Sequence, residues 1–292
     1  MTKAISCGGL VKPGSWRVHS RFGKAVNFTG GEGMVFVVKP EVGGGPLSIV
    51  LDGTDFADFC VSLEVTDRQI IIDGTAFRRD GIPLYRDFPS LPSGAEKNYA
   101  ANLPALKAFL CARSPKEGVA RAFFAPDEMP LTCNFERAVQ RRASSAAELF
   151  RGGYFRKGTL LLRGLGPGLT PAGDDAICGL LCGLNLTARL CGRDVSAVSA
   201  EIVREAMGEN LISNALIRCA GEGRFFEPLR LLAETASAQK PDFAAAGRRL
   251  SLCGASSGFD SAAGFALALE LWLGQENLAL AAGGINGFEG RN

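Results

Sequence analysis

What the chain lacks excludes most familiar chemistries. Its 292 residues contain one histidine, His19, so any imidazole acid–base or metal chemistry must use it. His19 sits in RVHSRFGKAVNF, a strand-like run where a lone histidine is commonly an ordinary exposed or hydrogen-bonded residue. No G-x-S-x-G elbow accompanies it, which leaves a Ser-His-Asp triad without sequence support. Charge bias is missing too. Lys and Arg number 32 against 30 Asp and Glu, interspersed, and a net charge of +2 gives no footprint for nucleic acid. No apolar stretch reaches the ~20 residues of a membrane span, and the opening MTKAISCGGLVKPG lacks the apolar core of a signal peptide. There is no C-x-x-C pair. Nine cysteines, odd in number and irregularly spaced among Ala, Leu and Gly, read as the reduced thiols of a cytoplasmic protein. Cys178 and Cys182 share a helix face with no histidine nearby, which favours small-residue packing over zinc.

What is present falls into two textures. Up to about residue 90 the chain reads as short strands, WRVHS, KAVNF, MVFVV, LSIVL, CVSLEV and QIIID, parted by glycine-rich or Asp-Gly turns. This spacing predicts a small β-barrel or sandwich. DFPSLPSGAEKN carries two prolines and a glycine and marks the boundary, giving a β-rich domain over 1–92 and a mainly helical domain over 93–292. The fold class expected is α+β. Helical spacing covers 116–124, 134–150, 171–190, 197–207, 210–220, 228–238 and 258–273, while TLLLR at 159–163 reads as the clearest strand of this half.

The chemistry gathers in LLLRGLGPGLTPAGDDAICGLLCG, residues 160–183. Gly164, Gly166 and Gly168 alternate, then come Thr170, Gly173, Asp174 and Asp175. Gly168 and Gly173 have the spacing of a Walker loop, but two aspartates stand where that loop needs Lys and Ser/Thr. The dinucleotide pattern fails as well, since its third glycine falls on Pro171 or Leu169. Thr170 as N-cap and Pro171 at the first helical position predict a helix start. The plain reading of the aspartates is complementation of the helix dipole, worth ~0.3–1 kcal/mol. The functional reading sets a cation, Mg2+, on Asp174 and Asp175 between the acidic loop and an anionic ligand. A metal-free alternative makes one aspartate a general base or a partner for a substrate amide. No organic cofactor is indicated.

Near the C-terminus, CGASSGFDSAAGFALAL repeats the layout. Gly258, Asp260 and Gly264 match Gly173, Asp175 and Gly179 as G-x-D-x-x-x-G, with Ser256 and Ser257 ahead of them. The expectation is that the two helices pack at their N-terminal ends and form one pocket of amides, hydroxyls and carboxylates, chance recurrence being the rival. In that pocket Asp174, Asp175 and Asp260 are the candidate catalytic residues. Gly164, Gly166, Gly168, Thr170, Gly173, Ser256 and Ser257 are the candidate substrate contacts. Asn210 and Asn214, on the polar side of GENLISNALIRCAGEG, are added as a pocket wall, and His19 as the sole imidazole. The glycine-dense EVGGGPLSIVLDG, 41–53, either lies against a ligand or makes a tight turn.

GLGPGLTPAGDD resembles the signature of the AllH-like family, a domain-of-unknown-function family linked to the oxamate carbamoyltransferase of allantoin degradation. VHSRFGKAVNF and GGGPLSIVLDG are similar to its N-terminal motifs and SSGFDSAAG to its C-terminal one, where relatives commonly carry a histidine and this chain has Ala255. The resemblance implies a subunit that acts with partner subunits to move a carbamoyl group, so that oxalurate and phosphate give oxamate and carbamoyl phosphate. The S-T-R-T phosphate motif of ordinary carbamoyltransferases is absent, so such an activity would use a different site. The resemblance agrees with a small carboxylate or acyl phosphate at glycine-rich helix starts. The alternatives are a non-catalytic metabolite-binding or scaffolding subunit, and a stand-alone Mg-dependent hydrolase or phosphotransferase.

Overall fold

A computed structural model describes residues 2–31, 33–53, 60–126 and 133–281, with side chains to 272. The chain divides into two compact units, Met1–Pro89 with Arg224–Leu231, and Ser90–Gly223 with the chain from Leu232 on. The class is α+β, as expected.

The first unit is one sheet of eight strands, β1 (Lys3–Cys7), β2 (Gly14–Phe22), β3 (Ala25–Gly30), β4 (Gly33–Val38), β5 (Ser48–Asp52), β6 (Ser62–Val65), β7 (Gln69–Ile72) and β8 (Thr75–Arg78). Their order is β1-β5-β4-β3-β2-β6-β7-β8, antiparallel except for the β4–β5 pair, and the sheet forms a nearly closed barrel. Alternate residues of β-branched runs turn inward, so Val26, Phe28, Val35, Val37, Ile49, Leu51, Leu63, Ile70 and Ile72 make the core. The glycine-dense turn serves this unit. Gly44 lies so close to the Tyr85 ring that a Cβ would not fit, and it exchanges backbone hydrogen bonds with Glu227, its amide donating to Glu227 Oε2 at 2.8 Å. His19 is exposed on β2, its Nδ1 3.1 Å from Ser20 Oγ.

The second unit is helical: α1 (Ala95–Arg113), α2 (Ala120–Phe124), α3 (Asn134–Arg151), α4 (Phe155–Leu162), α5 (Ala172–Cys191), α6 (Ser196–Ala206), α7 (Leu211–Gly221), α9 (Phe243–Leu250) and α10 (Ser257–Ala281), with α8 (Glu227–Ala236) beginning in the first unit's segment. Four expectations need correcting. The helix expected over 116–124 begins only at Ala120, after the turn Pro115–Gly118, and α9 lies where no helix was expected. TLLLR is not a strand but the end of α4, where Thr159 is buried and donates to Phe155 O, a helical i−4 bond. A short apolar run has no periodicity of its own to distinguish the two states. The helix α1 was not foreseen. Pro104 interrupts its pattern and Gly94 starts it in place of a side-chain cap, yet Tyr99, Leu103, Leu106 and Leu110 repeat at helical spacing and are buried. Among the described residues no helix is long and apolar enough to cross a membrane.

The two long helices α5 and α10 form the centre of this unit, and both are buried on nearly all sides of the turns where they meet. Their approach is set by glycine. A Cβ on Gly179 would run into Ser261 O, and one on Gly264 into Ala176 O. Each of these contacts maps onto the other by a shift of 85 residues, so the crossing has a local two-fold symmetry. The symmetry extends upstream. In both halves an eight-residue helix begins at phenylalanine, Phe155 or Phe243, and ends at leucine, Leu162 or Leu250. The Leu165 and Cys253 amides donate to those leucine carbonyls, Gly166 and Gly254 follow with positive φ, and the Gly173 and Gly258 amides return to the Leu165 and Cys253 carbonyls. A Cβ on Gly173 or Gly258 would strike Leu162 O or Leu250 O. The first loop is three residues longer than the second.

Candidate functional site

The two repeated loops meet. Thr170 Oγ1 is 3.0 Å from Ser257 Oγ and donates to Asp175 Oδ2 at 3.0 Å. Thr170 is thereby drawn away from the capping role expected of it: Pro171 occupies the N-cap position of α5 and makes no side-chain cap bond. Asp175 is buried among Asp260, Asp174 and these hydroxyls. Burial, then the negative charge of Asp260, push its carboxyl well above the ordinary range against the hydroxyls of Ser257 and Thr170.

Asp260 is the symmetry mate of Asp175 and has no exposed surface. Its Oδ1 accepts the Val119 amide at 2.8 Å, and its Oδ2 has no hydrogen-bond partner. Burial pushes this carboxyl up to about 7, against the Val119 amide and the nearby Ser256 hydroxyl, while Glu117 pushes it further up. The backbone reaches Asp260 only because residue 118 is glycine, since a Cβ there would stand 2.8 Å from Oδ1. The 115–119 segment was missed by sequence reasoning. Its one signal is the turn Pro115–Gly118, closed by the Gly118 amide on Pro115 O, just ahead of α2.

Asp174 faces elsewhere. Its Oδ1 accepts the Gly164 amide at 2.7 Å. Burial raises its carboxyl, against the Gly164 amide, the Ser213 hydroxyl and the Arg163 charge. Ser213 is buried and lies close enough to steady Asp174 electrostatically, although its Oγ falls short of hydrogen-bond geometry. The adjacent aspartates therefore engage different partners on different sides of the helix. Among the described residues no group of three or more His, Cys, Asp and Glu side chains is arranged to hold a metal ion.

The glycine loop is pinned at three places. Asp174 holds Gly164, the Asn210 amide group donates to Leu169 O at 2.6 Å, and Thr170 is tied to Asp175 and Ser257. Asn210 also caps α7, its Oδ1 accepting from Ile212 and Ser213. Asn214 is occupied locally, its side chain exchanging two hydrogen bonds with the Gly208 backbone. Between the pins Pro167 and Gly168 are exposed, as is Gly164 itself, and Gly164, Gly166 and Gly168 all have φ between 66 and 113°. Such conformations suit glycine alone. The amides of Gly166, Gly168, Leu169 and Thr170 make no hydrogen bond within the described protein, and neither do those of Gly254, Ala255 and Ser256 in the partner loop. The Gly173 amide, by contrast, is committed to Leu165 O. Of the candidate residues, the structure brings together Asp175, Asp260, Thr170, Ser256 and Ser257. It sets Asp174, Gly164 and Asn210 behind the loop as its supports. His19 belongs to the other unit.

Two glycine-rich loops joined over two buried carboxyls, with amides left open, make up the candidate site. The sequence resemblance is matched within that region. Residues 162–269 match the family model described as oxamate carbamoyltransferase subunit AllH, and the matched span runs from the end of α4 through both loops into α10. No curated protein and no solved structure matches the chain.

Proposed function

We propose that this chain is a subunit of a carbamoyltransferase-type assembly in the cytoplasm, and that it holds a small anion at the paired loops. Suitable anions are a carboxylate such as oxamate or oxalurate, or an acyl phosphate such as carbamoyl phosphate. The observation that carries the reading is the Thr170–Ser257 hydrogen bond, which joins two loops with open amides over Asp175 and Asp260 inside the family-matched segment. Backbone amides and hydroxyls at two helix starts supply the partners an anion needs, and no metal is required. Other protein subunits are the expected partners, by analogy with the family's description.

Calorimetry of the purified chain with oxamate, carbamoyl phosphate and phosphate, with and without Mg2+, tests this. Binding is expected, and Thr170→Val should weaken it about tenfold while circular dichroism stays unchanged. Carbamoyl transfer is expected only in the presence of co-purified partners. No heat with any of these ligands would end the reading. The near-complete burial of Asp175 and Asp260 favours a second reading, a metabolite-binding subunit without chemistry of its own. Full activity of the assembled complex carrying Asp175→Asn would select it.

A further inference from the structure

The local two-fold has a chemical consequence. It sets two equivalent carboxyls, Asp175 and Asp260, on facing helices, and none of the groups that act on them among the described residues is basic. The groups acting on Asp260 are Glu117 and the Val119 amide from the segment before α2, Ser256 at its own helix start, and Asp175 across the crossing. Asp175 meets Asp260, Asp174, Ser257 and Thr170, and its charge in turn opposes ionisation of Cys178 one turn along α5. Neither acid has a lysine or arginine partner among these groups. Two such carboxyls without a cation do not both ionise. Asp260 Oδ2, buried and without a hydrogen-bond partner, is a place for the proton. From Asp175 an unbroken pair of hydroxyls, Thr170 and Ser257 at 3.0 Å steps, leads to the loops.

We propose that Asp175 and Asp260 together form a proton store holding one exchangeable proton, and that Thr170 and Ser257 pass it to the ligand at the glycine loop. The inference rests on the anion-binding reading above and deepens it. In carbamoyl transfer from an N-carbamoyl amide to phosphate, a phosphate oxygen forms the new bond to the carbamoyl carbon. The carbon–nitrogen bond breaks, and its electron pair goes to the amide nitrogen. That nitrogen is a poor leaving group unless it is protonated. Here the proton comes from Asp175, the member of the pair that is hydrogen-bonded to Thr170, and passes through the Thr170 hydroxyl, while the Asp260 charge next to it keeps the Asp175 carboxyl proton-binding. The proton that hydrogenphosphate carried is released from the new acyl phosphate and refills the pair, so the pair leaves the cycle as it entered. Asp175 and Asp260 act through Thr170 and are positioning and proton-holding residues.

Two measurements decide it. Infrared or carboxyl 13C NMR titration of the ligand-free protein, with aspartate labelled, is expected to show one protonated aspartic acid at pH 7. Thr170→Val should raise the pH at which that signal disappears, because it removes a donor from Asp175, and Thr170→Ser should restore it. A signal showing every aspartate ionised at pH 7 overturns the proton store without reference to any ligand. Calorimetry with oxamate at pH 7, in two buffers of different ionisation heat, then tests delivery to the loop. An anion beside the pair should draw in a fraction of a proton, and Asp260→Asn should abolish that uptake. Binding without proton exchange overturns the link between store and loop. Absence of binding overturns the site reading and the link with it, while the proton store stands or falls on the spectrum.

Discussion

Replacing Asp260 by asparagine gives the sharpest thermodynamic test, because it removes one titrating carboxyl and its effect on Asp175 acts in the same direction. Its carboxyl is pushed from 3.8 up to about 7, chiefly by burial. Between those values the folded chain keeps a proton that the unfolded chain releases. The associated stability is complete below the unfolded value and is lost as pH rises through the folded one. At 1.36 kcal/mol per pKa unit the full loss is on the order of 4 kcal/mol, of which roughly 3 kcal/mol falls between pH 5 and pH 8. Asparagine copies the protonated acid in shape, keeps an oxygen for the Val119 amide and does not titrate in this range. The unfolding free energy of Asp260→Asn minus that of the natural chain should therefore rise by about 3 kcal/mol from pH 5 to pH 8. Urea unfolding at four pH values, analysed for constant slope, measures it. Contributions from other carboxylates cancel in the difference. The exception is Asp175, whose carboxyl falls when the Asp260 charge is removed, which adds to the effect in the same direction. A difference that stays flat, or that falls with pH, would refute the claim that Asp260 is buried beside an acid without a counter-charge.

Gly179→Ala and Gly264→Ala should each cost more than about 3 kcal/mol, and by similar amounts, because each pushes a methyl into the facing helix backbone at an equivalent point; thermal unfolding that leaves either variant near the natural Tm contradicts the crossing. Asp174→Ala strands the Gly164 amide and should cost about 1–3 kcal/mol, whereas Asp174→Asn keeps an acceptor and should lose less, as denaturant titration will show. At Glu270, burial would raise the carboxyl, but hydrogen bonds and charge from Arg151 and Lys107 outweigh it and hold it below the ordinary value. Its contribution is present above pH 4.5 and should vanish as the pH falls through the lowered folded value, so Glu270→Gln should narrow its deficit against the natural chain on acidification, measured by unfolding at pH 3 and pH 7.

The sequence showed a good deal of this fold, for identifiable reasons. Strands with β-branched cores and Asp-Gly turns carry a local signal, so the barrel was readable. Several helices rich in small apolar residues were readable as well, those at 134–151, 172–191, 196–206 and 211–221 to within a residue of their ends, whereas α10 runs eight residues past the expected end at 273. What was lost depended on context. TLLLR becomes helical because Gly158 fits against the Phe150 ring and Thr159 bonds back to Phe155. The pairing of 224–231 with the first unit rests on contacts such as Arg224–Asp87 at 2.6 Å, which no local pattern announces. In the site, the G-x-D-x-x-x-G echo was visible, but its extension to Phe155 and Phe243 was not, because a three-residue difference in loop length shifts the register between the two parts. Beyond the Pro115–Gly118 turn, nothing pointed to residues 118 and 119, because a backbone amide that meets a carboxylate leaves no residue-type signature.

The departures from symmetry carry as much meaning as the symmetry itself. The glycine crossing and the returning amides at Gly173 and Gly258 recur in both halves, which is the mark of scaffold: they bring α5 and α10 together regardless of ligand. Asp174 has no counterpart, since Phe259 stands at the equivalent position and is buried. The extra residues occur only in the first loop, and only that loop is tied down by an aspartate, an asparagine and a threonine. If the loop did no more than connect two helices, the shorter version that already suffices in the second half would serve. Keeping a longer loop exposed at its tip, with glycines at positive φ and amides unbonded, costs conformational entropy. Three separate supports offset that cost, and the anion proposed above would use the amides they hold open. Shortening the first loop to the length of the second should therefore leave the helix crossing and the barrel intact while abolishing anion binding. A shortened variant that binds oxamate as the natural chain does would assign the loop to scaffold alone.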